Sequence, residues 1–120
     1  MQVKAIPITT NGDGDFVGTL VVKTPAKLHA AQWVDGDLVD GVAAVLTCTQ
    51  FAPRDLVTTL LNLTAANVDA LYYPLVTGDD ATGTEIATAF VSPLVHGVLT
   101  LTVSAGGATK TGALWLYLDE

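Results

Sequence analysis

An acidic turn near the start of the chain offers the first candidate ligands. Asn11, Asp13 and Asp15 stand at positions i, i+2 and i+4, the spacing that opens a calcium-binding EF-hand loop. However, Phe16 occupies the position that requires glycine, and Val22 occupies that of the bidentate glutamate. Asp-Gly pairs also form tight turns for backbone reasons alone, because glycine adopts positive φ freely. We therefore expect a turn here and no bound metal ion.

The other metal-ligand residue types do not cluster in the sequence. A zinc site needs cysteine, histidine or carboxylate ligands at close spacing, whereas His29 and His96 are far apart and Cys48 is near neither. As the single cysteine, Cys48 can form no intramolecular disulfide and is expected to be a small buried apolar residue. We predict no metal and no cofactor. A second acidic group has no loop signature and is expected to form turns: Asp35, Asp37 and Asp40.

Catalytic motifs are missing from the sequence. It contains no Gly-x-Ser-x-Gly elbow, no paired glutamates and no phosphate-binding glycine loop. Ser92 precedes a proline, and Ser104 ends a predicted strand. A triad could be drawn from Ser92, His96 and an aspartate, but almost any chain of this size offers as much. We predict that the protein is not an enzyme.

The charge balance excludes several kinds of partner. Twelve acidic and five basic residues give a net charge of −7. Nucleic-acid binding requires a basic surface, so it is excluded, and an anionic membrane surface is disfavoured. Purely apolar runs such as Val42 to Leu46 are far shorter than the ~20 residues of a spanning helix. No basic segment followed by an apolar stretch opens the chain, so we expect no signal peptide.

Residue usage predicts an all-β protein. Threonine and valine are abundant, glutamate is nearly absent and there are 11 glycines. Such a composition suits pleated strands joined by turns. We predict a single domain over residues 1–120, an antiparallel β-sandwich or barrel of about eight short strands.

Two hairpins stand out among the predicted strands. Val3–Thr9 and Phe16–Lys23 flank the Asn-Gly/Asp-Gly cluster, which is a hairpin signal. Near the other end, Val98–Ser104 alternates strictly and is followed by glycines and by Leu114–Leu118. This last strand is apolar on both faces, which places it in the middle of a sheet or at a subunit contact.

The middle of the chain supplies further strands. Alternation in Lys27–Val34 places Leu28 and Trp33 on opposite faces. Leucines in Leu56–Leu63 also fit a helical stripe, but its threonines favour a strand, which we predict. Thr77–Thr84 has no apolar anchor and is predicted to be a mobile surface loop. Val42–Gln50 and Val68–Tyr73 are further strands, and Ala87–Val91 is a short strand or a connector.

Aromatic side chains could line a sugar-binding face, but in small β domains they more often anchor the core or a subunit contact. If Trp115 is a core residue, its replacement by alanine should cost about 3–5 kcal/mol. The five predicted core or oligomer anchors are Trp33, Tyr72, Tyr73, Trp115 and Tyr117.

Several landmarks follow one another along nearly the whole chain. They are a Thr-rich opening strand, an Asn/Asp-Gly turn, Thr24-Pro25, Trp33-Val34, Asp40-Gly41-Val42, Asn62 to Asn67, Leu71-Tyr72-Tyr73-Pro74, Val98 to Val103, and Gly106 to Gly112.

In this order the landmarks resemble those of small β-rich virion proteins encoded among the head genes of tailed bacteriophages, several of which are capsid cement or decoration proteins. Tyr72-Tyr73-Pro74 and Gly106 to Gly112 are the most specific. Many relatives have arginine after that proline, whereas Leu75 stands here, so no role of that arginine carries over. The resemblance implies a structural protein on the capsid exterior, present in the host cytoplasm during assembly, that binds the major capsid protein and stabilises the shell.

Composition also predicts self-association, because only 14% of the residues are charged against about 25% in an average protein. A trimer would match the three-fold positions of an icosahedral shell. We expect flexible segments to attach the protein to the capsid. The favoured ones are an N-terminal arm, Met1 to Ala5, which carries Gln2 and Lys4, and the loop that carries Asn11, Asp13 and Asp15. A further candidate is Thr77 to Thr84. These segments could equally be ordinary solvated turns.

A second function, from a different class, is a lectin-like head-fibre or tail-associated module that binds a glycan or another virion protein, with or without calcium. A glycan site needs exposed aromatics beside acidic or amide side chains. Only Trp33 next to Asp35 meets this condition in the sequence. Copy number in the particle separates the two functions.

Overall fold

A computed structural model describes residues 1–51, 57–64, 66, 68–79 and 85–119 of the chain. None of these residues lies in a helix, so none of them forms a helix long and apolar enough to cross a membrane. The strands are β1 (Gln2–Thr9), β2 (Phe16–Val21), β3 (Ala26–Val34), β4 (Ala43–Gln50), β5 (Val57–Leu63), β6 (Ala70–Tyr72), β7 (Val76–Asp79), β8 (Glu85–Val91), β9 (Leu94–Val95), β10 (Gly97–Ser104) and β11 (Thr111–Asp119).

Two antiparallel sheets pack face to face. Sheet A has the order β1-β11-β3-β6, with β9 also pairing with β3, and sheet B has the order β2-β10-β4-β5. Strands β7 and β8 form a separate pair. The inward residues of both sheets build one apolar core, which confirms the predicted all-β antiparallel sandwich. The largest side chains in it are Trp33, Ile8, Leu28, Leu46, Leu99, Leu101, Leu114, Leu116 and Leu118.

Both predicted hairpins are wrong in their pairing. Strand β1 pairs with β11, and β2 pairs with β10, so each predicted hairpin instead connects one sheet to the other. Glycine-rich turns and alternating strands occur in hairpins and in such arches alike, because either connection needs positive φ and presents one apolar face to the core. The sequence therefore located the turns but not the partners. Pro7 is tolerated in β1 because this is an edge strand.

A β-bulge in β3 changes which side chains reach the core. Tyr117 pairs with Ala30, but the next residue, Leu118, pairs with Leu28, so His29 is an extra residue in β3. Leu28 and Trp33 consequently point to the same, buried side, although strict alternation predicted opposite faces.

Two other predictions concern the middle of the chain. The described residues of Leu56–Leu63 form β5, which pairs with β4, so the strand is confirmed and the helix alternative is wrong; Leu56 lies outside the described residues. Residues Thr77 to Asp79 belong to β7 and not to a loop, because this segment pairs with β8. Residues 80–84 of the predicted loop lie outside the described residues.

The closing strand β11 lies between β1 and β3, which confirms its placement in the middle of a sheet. Its leucines face the core. Cys48 is buried as predicted, and burial raises the pKa of its thiol. Trp33 is fully buried, and its indole N–H donates a hydrogen bond of 2.8 Å to the carbonyl of Ala66.

Candidate interaction surface

Three loops meet at one end of the sandwich, which we call the arch end: residues 10–15, 35–42 and 105–110. Thr10 is the buried polar residue that joins two of them. Its hydroxyl donates to the carbonyl of Gly107 at 2.6 Å and accepts from the N–H of Lys110 at 2.8 Å. Its own N–H donates to the carbonyl of Lys110 at 2.9 Å. The loops are thus hydrogen-bonded to one another within a single chain.

Asn11 holds the first loop in shape. Its side-chain Oδ1 accepts the N–H groups of Asp13 at 2.9 Å and of Asp15 at 3.0 Å. Its carbonyl accepts the N–H of Thr109 at 3.1 Å. The predicted turn is thus an Asx turn, in which the Asn11 side chain is hydrogen-bonded to the backbone of both aspartates. The carboxylates of Asp13 and Asp15 belong to exposed residues.

The second loop is fitted closely against β11. Gly36 has φ +59°, and a Cβ atom there would lie 2.2 Å from the carbonyl oxygen of Thr111. Beside it, the N–H of Asp37 donates to the same carbonyl at 3.0 Å, and the Asp37 carboxylate accepts the N–H of Thr111. That backbone hydrogen bond lowers the pKa of Asp37.

The surroundings of Asp35 shift its pKa in the opposite direction. Burial raises the pKa of its carboxyl, and the neighbouring charge of Asp69, followed by Asp40 and Asp37, raises it further. Its Oδ1 atom is buried, with no hydrogen-bond partner among the residues that the structure describes. Throughout the described residues, His, Cys, Asp and Glu side chains nowhere gather in groups of three or more suited to a metal ion.

The predicted N-terminal arm is not an arm. Gln2 and Lys4 lie in β1, which pairs with β11 along its whole length from Gln2 to Thr9, so the expectation of a free extended segment is wrong. The hydrogen bonds and the apolar face of Ile6 and Ile8 explain why this segment is a strand. Gln2 and Lys4 line a cleft of about 400 Å³ between the sheets, far from the arch end, together with Lys23 and Leu118.

The outer face of sheet A carries exposed apolar side chains on neighbouring strands, among them Val3, Leu71 and Trp115. Pairing aligns its side chains in rows, of which the central one runs from Ala5 through Trp115 and Gln32 to Leu71. Charged side chains occur only in the last aligned pair, Lys27 and Asp119. We call this surface the Trp115 face; it comprises Val3, Ala5, Pro7, Ala30, Gln32, Val34, Leu71, Ala113, Trp115 and Tyr117.

The structure divides the five predicted aromatic anchors. Trp33 is in the core and Tyr72 packs against it, which agrees with the first of the two predicted roles, core anchor or oligomer anchor. Trp115 is 41% exposed, so its placement as a core residue is wrong. Tyr117 is half-buried, and its hydroxyl lies 3.0 Å from Oε1 of Gln32 and donates to it. Tyr73 is exposed, with its ring edge-on to His29 at 6.1 Å; its role at a subunit contact stays a prediction, as does that of Trp115.

The outer face of sheet B is uncharged but chemically different. A row of hydroxyls, Thr19, Thr100, Thr47 and Thr59, crosses all four strands in register. Sequence reasoning noted the threonines but missed their alignment, because it appears only once strand pairing is known. We call this surface the threonine face; it comprises Val17, Thr19, Val21, Val45, Thr47, Thr49, Val57, Thr59, Asn62, Val98, Thr100 and Thr102.

No protein-family model matches the chain, and no curated protein matches it at a significant level. The function is therefore argued from these surfaces and from the resemblance described above.

Proposed function

We propose that this chain is a structural protein of a tailed bacteriophage particle, which binds the major capsid protein on the assembled shell and stabilises it. The observation that carries the proposal is the distribution of charge. The outer face of sheet B is uncharged, because strands β2, β4, β5 and β10 contain no charged residue. On the outer face of sheet A, charged residues stand only at one end, where Lys27 pairs with Asp119. Large apolar patches without charge are typical of surfaces that another protein covers.

The charges stand instead at the margins of the sandwich. Asp13, Asp15, Asp37 and Asp69 are exposed around the arch end. A net charge of −7 favours solubility before assembly. Neutral faces with charged margins suit a component that is soluble in the host cytoplasm and then covered on a particle. The proposal includes the homo-oligomer, a trimer, expected from composition.

The glycan-binding alternative rested on an exposed Trp33 beside Asp35. Trp33 is fully buried and its indole N–H is bonded to Ala66, so it cannot stack on a sugar beside Asp35. We therefore do not propose this second function.

Copy number tests the proposal directly. Particles of the parent phage are purified, and the protein is quantified by mass spectrometry and located in a cryo-EM map. We expect hundreds of copies spread over the outer surface of the shell. A handful of copies at one vertex, in a fibre or in the tail would contradict the proposal, as would absence from the particle.

Rebinding to shells stripped of the protein tests the attachment segments expected from the sequence. Deleting Met1 to Lys4 would remove part of β1, so point variants are the cleaner choice. Gln2→Ala with Lys4→Ala tests the edge strand, and Asp13→Ala with Asp15→Ala tests the loop. Occupancy equal to that of the wild type in both would exclude these residues as the capsid contacts.

A further inference from the structure

We propose that the Trp115 face is the surface through which copies of this chain associate with one another. Trp115 lies at its centre, on the middle strand β11, between Ala5 on one side and Gln32 on the other. Its indole N–H donates to no group among the residues that the structure describes. An exposed tryptophan on a rigid central strand, rather than on a loop, is the kind of side chain that dominates interface energies.

The face has the anatomy of a protein interface. Its centre is apolar and aromatic, whereas polar residues stand at the two ends of its rows. At the arch end these are Thr9 and Thr111, which pair with each other. At the opposite end, Lys27 pairs with Asp119, so opposite charges stand side by side. An apolar centre within a polar rim is the usual arrangement where two proteins meet.

The available area suits a second copy. Val3, Leu71, Tyr73 and Trp115 are each 41% exposed or more and lie on or beside the face. With the smaller side chains around them, they form an apolar area somewhat smaller than the about 800 Å² that each partner buries in a standard interface. In the trimer expected from composition, the faces of three copies meet around one axis, and each face divides its area between its two neighbours.

Charge and shape favour an identical partner over a different one. Because the face is uncharged, it offers no complementary charge to a strongly charged partner, whereas a second copy of the same face leaves no charge buried without a partner. Sheets also pack well against sheets, about 10 Å apart with interdigitating side chains. The Tyr117–Gln32 hydrogen bond fixes two of these side chains beforehand, which reduces the entropy lost on association.

Self-association of the purified protein tests this inference without any particle. The inference rests on the homo-oligomer of the proposed function, whereas attachment to the shell is tested separately by copy number in the particle. Sedimentation velocity is measured over a range of concentrations for the wild type, for Trp115→Lys and for Thr102→Lys. The control places the same charge on an exposed position of the threonine face, also on a middle strand. Circular dichroism checks that each variant is folded.

We expect the wild type and Thr102→Lys to sediment as two or more chains at tens of micromolar. Trp115→Lys should sediment as a 12.4 kDa monomer, with association weakened by about thirtyfold or more, as when an interface hot spot is lost. If Trp115→Lys does not fold, Leu71→Lys at the margin of the same face takes its place. A monomeric wild type, a Trp115→Lys or Leu71→Lys protein that associates like the wild type, or equal loss in Thr102→Lys would overturn the inference.

Discussion

The arch end and the Trp115 face use their side chains in opposite ways. At the arch end, Thr10, Asn11 and Asp37 bond to the backbone of neighbouring loops, so their polar groups hold the fold together. On the Trp115 face, the middle of a sheet presents Trp115 and its neighbours outward, where nothing among the described residues covers them. Loops are usually the adaptable part of a small β protein, but here the loops are internally bonded and the sheet is the free surface.

This contrast separates stability from association. Changes at the arch end should lower the free energy of unfolding and leave self-association unaffected in the folded fraction. Changes on the Trp115 face should do the reverse.

Among changes at the arch end, the largest loss is expected for Gly36→Ala. The added Cβ would collide with the carbonyl oxygen of Thr111, and φ is +59°. Overpacking and left-handed strain together should lower the free energy of unfolding by about 3 kcal/mol or more. Gly41→Ala is the matched control, because its φ is +86° but nothing lies within 4 Å, so only the backbone strain of about 1 kcal/mol remains. Equal losses in urea denaturation of the two variants would contradict the close fit at Gly36.

Thr10→Val should have the next largest effect. Valine keeps the shape of threonine but removes the hydroxyl, which leaves the N–H of Lys110 and the carbonyl of Gly107 without that partner. The expected loss is about 2 kcal/mol, the range for an unsatisfied buried polar group. Thr9→Val, one residue earlier on the exposed side of β1, should change stability little. A Thr10→Val protein as stable as Thr9→Val would show that this hydroxyl does not join the loops.

Trp115→Ala should destabilise the isolated chain by only about 1 kcal/mol, because much of the side chain is already in water. Trp33→Ala should cost about 3–5 kcal/mol, as expected for a fully buried aromatic residue. Both variants are compared at concentrations too low for association. Comparable losses would mean that Trp115 belongs to the core after all.

The smallest effects concern two aspartates with opposite pKa shifts. The pKa of Asp37 is lower in the folded protein than its unfolded value of 3.8, so the ionised carboxylate stabilises the fold at pH values above 3.8. This stabilisation is lost as the pH falls through the folded-state pKa. A raised pKa makes ionised Asp35 destabilising at neutral pH, and protonation relieves this as the pH falls.

The two asparagine variants should therefore move in opposite directions. Asp37→Asn should lower Tm at pH 7, and Asp35→Asn should raise it. The difference for Asp35→Asn should shrink as the pH falls through the raised folded-state pKa, and that for Asp37→Asn should shrink only as the pH falls below 3.8. Thermal melts of both variants and the wild type from pH 7 downwards measure this. Shifts of the same sign at pH 7 would contradict the assignment.

The sequence predicted the fold class and most strand positions because these depend on local patterns. Val98–Ser104 alternates, and Leu114–Leu118 is apolar on both faces, so each indicates a strand and a central position. Strand pairing does not depend on local patterns alone. Whether β1 continues into β2 by a hairpin or crosses to the other sheet depends on partners about a hundred residues away, on β11.

The candidate surface was predictable only in part for the same reason. Trp115 and Tyr117 alternate with core leucines, so their shared outward face was visible in the sequence. Their alignment with Val3 and Leu71 depends on strand register, which local spacing does not determine. The bulge at His29 was invisible as well, since one extra residue leaves no signal in residue type.

Fluorescence quenching of the wild-type protein tests most directly whether the Trp115 face is the contact between copies. The chain has two tryptophans, of which Trp33 is fully buried, so acrylamide should reach only Trp115. The quenching constant is measured over the concentration range in which sedimentation shows association. We predict that the accessible fraction falls as copies associate, because the contact covers Trp115. Quenching that stays constant while the mass rises would contradict the account.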